Sequence, residues 1–382
     1  MNRLLTASVL LLLLPGCFDL RASVVSSDVE EWRLVELDRI GTADGEDELM
    51  LTRIRDLLPL EDRLLAADVV PGGMARVLEL ELDGTLRGMV GGAGEGPGEY
   101  SMPARLQRFG DTLWVVDENR ARAHAWVDGA VAGAVQLPLQ VGRARTVPLG
   151  MVPDGTVLAR YNYAISDLVS GAVESSPVVR IAREGQVVDT VLTTPFAPED
   201  FWSVEGSVGH TPVQRAPLTM LPSDGSVFMM VDRTPVAGSG DPHFTLHVYP
   251  LDGRTPFTVD VPYDPIPVAV DALMAAIPAE ASEAVHRAVR DNLESFEHLP
   301  PVLAVGGMHS ESDGAWIRVH SRDSSTAVWE VIDLERRERV ARVRTPIGFS
   351  VLHVAGDELW GTLISPMGVP VIVRYAIDRS GD

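Results

Sequence analysis

Cysteine is almost missing from this sequence. One residue in 382 excludes a disulfide framework and any metal cage built from several thiolates. Positive charge is short as well: 32 Lys+Arg stand against 54 Asp+Glu, a formal charge of −22. Nucleic acid is therefore not an expected partner, since its phosphates must be neutralised by clustered Lys and Arg. Aromatic residues are sparse, with 9 Phe, 6 Tyr and 7 Trp, whereas 34 Gly and 27 Pro favour many short elements joined by tight turns over long helices. Past the N-terminus no apolar run approaches the ~18 residues that would mark a transmembrane helix. What remains, 46% hydrophobic and 23% charged, has the composition of a globular chain and excludes disorder.

The N-terminus carries an address. Arg3 precedes an apolar run from Leu4 to Leu14, too short to span a bilayer and suited to a secretory signal, followed by Pro15, Gly16 and Cys17. The segment Leu14-Pro15-Gly16-Cys17 resembles a bacterial lipobox, and the sole cysteine sits where that resemblance needs it; an ordinary signal peptide is the plainer alternative. The resemblance implies lipid attachment at Cys17, a signal peptide over 1–16 and a lipidated tether over 17–32. The acidic chain should be repelled by anionic headgroups, so the expected membrane contact is through the lipid anchor only. Phe18, where an inner-membrane lipoprotein would carry Asp, implies outer-membrane sorting with the domain facing the periplasm.

Beyond residue 32 a phrase recurs: a turn with Asp or Gly, then a short apolar strand. It appears at Glu61–Asp68, Gly110–Asp117, Asp154–Ala159, Asp224–Met229, Asp313–Arg318 and Gly356–Gly361. Three of the five intervals lie near the ~40–50 residues of a four-stranded propeller blade, and the two long ones contain insertions. A second phrase, as in Val77–Leu86 and Leu246–Gly253, alternates with period 2 and joins strand to strand through Asp-Gly. A single sheet cannot cover both of its apolar faces, and a closed ring of sheets covers all of them. The expected fold is all-β: a six-bladed β-propeller of four-stranded antiparallel blades over residues 33–380. Two β-sandwiches sharing Asp-Gly turns are the alternative.

A short helical insertion is expected over 269–296, as helices 270–277 and 279–296, because Val285, Val289, Leu293 and Phe296 recur at helical spacing and Pro278 suits a first turn. The second insertion, Thr194–Pro217, reads as a long ordered loop or lid.

The stretch Gly91–Tyr100, then Pro103, Gly110–Asp117 and Asn119–Arg122, resembles the bacterial six-bladed β-propeller lipoproteins that are distantly NHL-repeat-like. Glu297–Pro301 and the ending Gly356–Trp360 are similar to further features of that group. The resemblance implies a fold and assigns no reaction.

Candidate chemistry is thin. The glycines of 91–98 lack the Lys-Ser/Thr of a phosphate loop and are followed by a strand, so they read as a structural turn. No Gly-x-Ser-x-Gly elbow is present. His243 and His247 fall on one face of an expected strand and are weak metal candidates. Asp117 and Asn119, with Glu118 between them, form a compact acid-and-amide cluster that suits a hard cation such as calcium, the divalent ion an acidic propeller channel would take. Trp114, Trp316 and Trp360 occupy equivalent places in the repeat and read as packing between blades.

The expected function is a cell-envelope binding or scaffolding module, with a protein or small-molecule ligand, no cofactor required and no assignable reaction. The alternative is a metal-dependent propeller hydrolase or lyase, gluconolactonase-like or peptidylglycine-lyase-like, with a divalent ion in the central channel.

Overall fold

The computed structural model describes residues 29–41, 50–70, 74–204, 207–234, 242–275, 277–303, 308–310 and 314–380. The expected signal peptide, Cys17, the expected tether up to residue 28 and Asp313 of the repeat lie outside them. Short strands dominate because β-branched and apolar residues alternate with polar ones. In His243–Pro250, Phe244, Leu246 and Val248 are fully buried while His243, Thr245 and His247 are half-buried on the other face.

Four separate antiparallel sheets follow chain order. The first runs Ile54–Pro59, Arg63–Val70, Met74–Glu81, Leu86–Met89, and the second Pro103–Phe109, Thr112–Asp117, Arg122–Val127, Ala130–Gln136. The third runs Ala144–Met151, Val157–Asn162, Ser175–Ile181, Val187–Pro195, with the two-residue strand Gln140–Val141 added at its edge. The fourth runs Leu218–Met220, Val227–Asp232, His243–Pro250, Phe257–Pro262.

Apart from two small two-stranded sheets, Gly92–Ala93 with Glu99–Tyr100 and Phe201–Val204 with Ser207–His210, the rest is one eight-stranded sheet, which departs from the expected six separate blades for a simple reason. The N-terminal strand Glu30–Ile40 bonds on both sides. It pairs antiparallel with Pro370–Asp378, Arg33 opposite Asp378 and Ile40 opposite Ile372. Its first residues also run parallel to Glu338–Pro346, Glu30 opposite Ala341. That short parallel seam joins Met308–Ser310, Gly314–Val319, Thr326–Asp333 and Glu338–Pro346 to Ser350–Ala355, Glu358–Ile364, Pro370–Asp378 and the N-terminal strand.

Apolar clusters link the sheets in sequence. Leu65 and Val77 of the first pack with Leu106 and Val115 of the second; Trp114 of the second packs with Val157 and Val179 of the third. Val178 meets Phe228 of the fourth, and Val231 and Val259 meet Ile317 of the eight-stranded sheet. Within that sheet Trp316 and Val343 of one half face Leu359 and Val373 of the other. Trp360 and Ile372 then pack against Leu57 and Leu64 of the first sheet, so the succession returns to its start in a propeller-like arrangement.

Antiparallel order sends successive connections to alternate ends. At the turn end they are short, and an Asp side chain accepts the N–H two residues on: Asp83 from Thr85 at 2.9 Å, Asp154 from Thr156 at 2.9 Å, Asp224 from Ser226 at 3.0 Å. The recurring Asp-Gly phrase is thus a turn device. All insertions lie at the other, loop end. Helices span Val270–Met274 and Glu283–Glu294, shorter than the sequence suggests. Pro278 heads a turn closed by the Ala281 N–H, and Ser282 caps the second helix by accepting from Val285 at 3.3 Å. Val289, Leu293 and Phe296 are buried with Val213 in a cluster of their own, outside the sheet-to-sheet clusters.

The 194–217 segment is not a plain loop. It forms a 3-10 turn, Pro198–Asp200, and a hairpin, Phe201–Val204 with Ser207–His210. The Asn292 amide donates to the Glu199 carbonyl at 2.6 Å, docking the helix onto the 3-10 turn that leads into the hairpin.

Candidate functional site

The first strand of each sheet lies on the inside of the arrangement, next to the first strand of its neighbour, as Ile54–Pro59 does with Pro103–Phe109 and Ser350–Ala355. Three of these strands carry arginine near the loop end: Arg55, Arg105 and Arg145. Bulges between Ile54 and Asp56 and between Pro103 and Arg105 interrupt the pairing there, and such bulges re-aim side chains.

Below the arginines the interior is filled. Asp56 accepts the N–H groups of Leu57 at 3.0 Å and Leu106 at 2.7 Å; burial pushes its carboxyl up to about 6, against the opposing pull of Arg105. Arg105 reaches across to the Leu221 carbonyl at 2.6 Å. The Gln107 amide, fully buried, donates to the Met151 carbonyl at 3.2 Å, and its oxygen accepts the Met151 N–H at 2.6 Å. It also lies 3.4 Å from the Pro222 and 3.3 Å from the Ser223 carbonyl, tying the second sheet to the third and fourth. Gly150, at φ +157°, permits this approach: a Cβ there would sit 2.7 Å from the Gln107 oxygen and 2.6 Å from Leu221. Across the interior, the His309 and His353 rings are 6.3 Å apart. Burial lowers His353 to about 4 and holds His309 well below its ordinary value, with repulsion from His353 and Arg105 adding to the latter. Both are neutral at neutral pH. Gln107 thus fills the interior below the loop-end arginines.

At the loop end Arg55 and Arg145 meet the Glu118 segment, with Arg160 on the strand paired to that of Arg145. Arg55 Nη2 lies 3.5 Å from Glu118 Oε2. Arg145 Nη2 donates to the Glu118 carbonyl at 3.2 Å and to Asn119 Oδ1 at 3.0 Å. Arg160, on the second strand of the third sheet, is held below its ordinary value by burial, with the Glu118 charge opposing; its buried Nε has no hydrogen-bond partner. A surplus of positive charge at the mouth of a chain carrying −22 overall is the chemistry of an anion site. A second buried cation, Arg233, is structural: its Nε donates to the Val302 carbonyl at 2.9 Å and its Nη1 to Ala216 at 3.3 Å.

The residues singled out in the sequence fall differently. Asp117 is fully buried, and its carboxylate accepts from Ser101 N at 2.7 Å, Met102 N at 3.2 Å, Asn119 N at 3.0 Å and Arg120 N at 3.2 Å. It fastens the loop before its sheet's first strand, as Asp68 does with Thr52 and Arg53, and offers a metal little. Asn119 belongs to the arginine cluster. His243 and His247 stand opposite Pro262 and Thr258, and four residues along a strand separate their backbones by about 13 Å, too far to share an ion in the manner expected. Among the described residues no three His, Cys, Asp or Glu side chains group as metal ligands. The inward-facing donors do not fit a divalent cation either, since Asp56 is committed to backbone N–H groups and arginines surround it. The glycine-rich loop wraps its own Glu99, whose carboxylate accepts the Gly96 N–H at 2.7 Å, and the Gly98 N–H donates to His124 Nδ1 at 3.3 Å. Trp114, Trp316 and Trp360 are all buried between sheets.

Sequence reading passed over the arginines. The available signal was an Arg entering the first strand of three successive repeats, in Ile54-Arg55, Ala104-Arg105 and Ala144-Arg145, within an acidic chain. Two cavities of about 170 and 320 Å³ open toward the turn end beside Arg108 and Arg183, away from this cluster.

No family model matches the chain, and no curated protein matches it. Several solved structures are similar in arrangement. A DUF4221 family member from Bacteroides vulgatus aligns with TM-score 0.48 at 9% identity over 92% of this chain and 99% of its own. An exported-protein candidate from Bacteroides fragilis gives 0.47 at 11%, over 94% and 98%. The calcium-binding protein regucalcin from Agrobacterium tumefaciens gives 0.41 at 11%, over 91% and 96%. Likeness at this level carries no argument about ligand or reaction.

Proposed function

We propose that this protein is a cell-envelope lipoprotein whose propeller binds an anionic small molecule at its loop end. The observation that carries the reading is the meeting of Arg55 with the Glu118 carboxylate and of Arg145 with the Glu118 carbonyl and Asn119, with Arg160 on the strand paired to that of Arg145. In this reading the eight-stranded sheet counts as two blades, giving six, with the N-terminal strand as the outer strand of the last. Binding is favoured over metal-dependent hydrolysis or lysis because guanidiniums stand at the loop end and the inward carboxylate, Asp56, is committed to the Leu57 and Leu106 N–H groups.

Anchoring through Cys17, with the domain on the periplasmic side of the outer membrane, rests on the lipobox resemblance. It would also orient the domain. The strand Glu30–Ile40 enters at the turn end, where Arg33 stands opposite Asp378, so a lipid on Cys17 would hold the turn end toward the bilayer and aim the arginines away from it. Isothermal titration of the wild-type domain with citrate, inorganic phosphate and neutral glucose tests the binding reading. Uptake of at least one anion, weakened in Arg55→Gln/Arg145→Gln, is the expected result; no anion uptake would overturn it. Cys17→Ala should move the protein from the membrane pellet to the soluble fraction.

A further inference from the structure

Glu118 is an odd neighbour for an anion site. Its backbone is held firmly: Asp117 beside it binds the loop on both sides, and Arg145 holds the Glu118 carbonyl and Asn119. The Asn119 amide is within 3.4 Å of Ser101 Oγ. The Glu118 side chain alone is loosely held, through one long 3.5 Å contact to Arg55, and about 30% of each partner's side chain stays in solvent. Meanwhile Arg160 Nε, buried on the strand paired with that of Arg145, has no hydrogen-bond partner, although an unpaired buried donor is costly.

We propose that Glu118 is an internal stand-in for a ligand carboxylate. Resting on this anion-binding reading, the inference names the ligand class as a small polycarboxylate. One ligand carboxylate takes the place of the Glu118 side chain on Arg55, and another reaches Arg160, which the resident carboxylate leaves unsatisfied. The exchange is favoured because Arg–carboxylate pairing can become bidentate, whereas the resident contact is single and long. It moves one side chain about a fixed backbone, so the free protein exists mainly in a self-occupied state that lowers apparent affinity. The carboxylate also repels anions that cannot displace it, which makes it a filter as well as a plug.

The test titrates citrate and inorganic phosphate, at fixed ionic strength, into the wild-type domain, Glu118→Gln and Arg160→Gln, with thermal melts confirming that each variant folds. Removing the stand-in should tighten citrate about tenfold, and Arg160→Gln should weaken citrate binding relative to wild type. Phosphate should gain less than citrate from Glu118→Gln. Citrate binding that is unchanged or weaker in Glu118→Gln overturns the stand-in while leaving the anion site in place. Phosphate gaining as much as citrate overturns the polycarboxylate assignment. Failure of all three proteins to bind either anion overturns the binding reading itself.

Discussion

The two ends of this protein are cut from the same strands and are fastened in different ways. At the turn end Asp83, Asp154, Asp224 and Asp252 each satisfy an N–H two residues away, as Asp154 does with Thr156. At the loop end Asp232 and Asp323 close local turns in the same way, but buried carboxylates also act at long range. Asp68 reaches Arg53, Asp117 reaches Ser101, and Asp200 reaches Arg215 at 2.5 Å and Ala216 at 2.7 Å. A turn that closes on itself holds its position without outside help. A long loop must be pinned from elsewhere, and once pinned it can hold an arginine or a glutamate at a fixed place. The end that requires more anchoring is therefore the end that can carry chemistry.

Acid should separate the two ends most. Burial holds His124, His320 and His353 at about 4, all deep in the interior or under the loop end. A base lowered in the folded state contributes stability that is complete above its unfolded value near 6.5 and is lost as pH falls toward 4. Asp56, raised to about 6, works the other way: its penalty grows as pH rises from 3.8 through 6, so acid relieves it. Three histidines outweigh one aspartate, and the net loss between pH 6.5 and 4 should be on the order of several kcal/mol. The exposed turn aspartates Asp83 and Asp252 are lowered by their N–H contacts and remain charged through this range. Hydrogen exchange at pH 4.5 should show amides around 98, 124, 320 and 353 opening before those around 83 and 252; the reverse order would break the comparison.

Gln107→Ala comes next. It strips a fully buried amide whose loss leaves the Met151 N–H and carbonyl unpaired, and a destabilisation of about 3 kcal/mol is expected in urea unfolding. Asp117→Ala should cost about 2 kcal/mol, since the released N–H groups lie partly within reach of water. Asp154→Ala, the matching change at the turn end, should cost no more than about 0.5 kcal/mol. Equal losses from the last two would erase the distinction between self-closing and long-range fastening.

Much of the architecture was legible in the sequence because it is written locally. Asp-Gly turns, period-2 strands and the helical spacing of Val285, Val289 and Leu293 each need only a short window. The N-terminal strand was not legible in the same way. Its partners, Asp378 and Ala341, lie at the far end of the chain, and the three-residue parallel seam that merges two sheets has no sequence mark. The candidate site was harder still. Asp117 and Asn119 stood out for their composition, yet one turned out to fasten a loop and the other to serve Arg145. The arginines that matter come from positions 55, 145 and 160, and only folding brings Arg55 and Arg145 to Glu118, with Arg160 on the strand beside Arg145. His243 and His247 mislead because sharing a strand face is not proximity: the spacing that aligns two side chains also sets them apart.

The strand Glu30–Ile40 has a consequence for the order of assembly. It is the first strand among the described residues that a ribosome would emit, and its antiparallel partner is among the last. Until Pro370–Asp378 exists, the opening segment has only the three-residue parallel contact to Glu338–Pro346, itself encoded late. The chain must keep a finished strand in waiting while everything between is laid down, and then close a loop of nearly its whole length in one step. Such a closure is entropically slow and comes last. A nascent chain stalled before residue 370 would present that waiting strand, unpaired, to whatever edge came by.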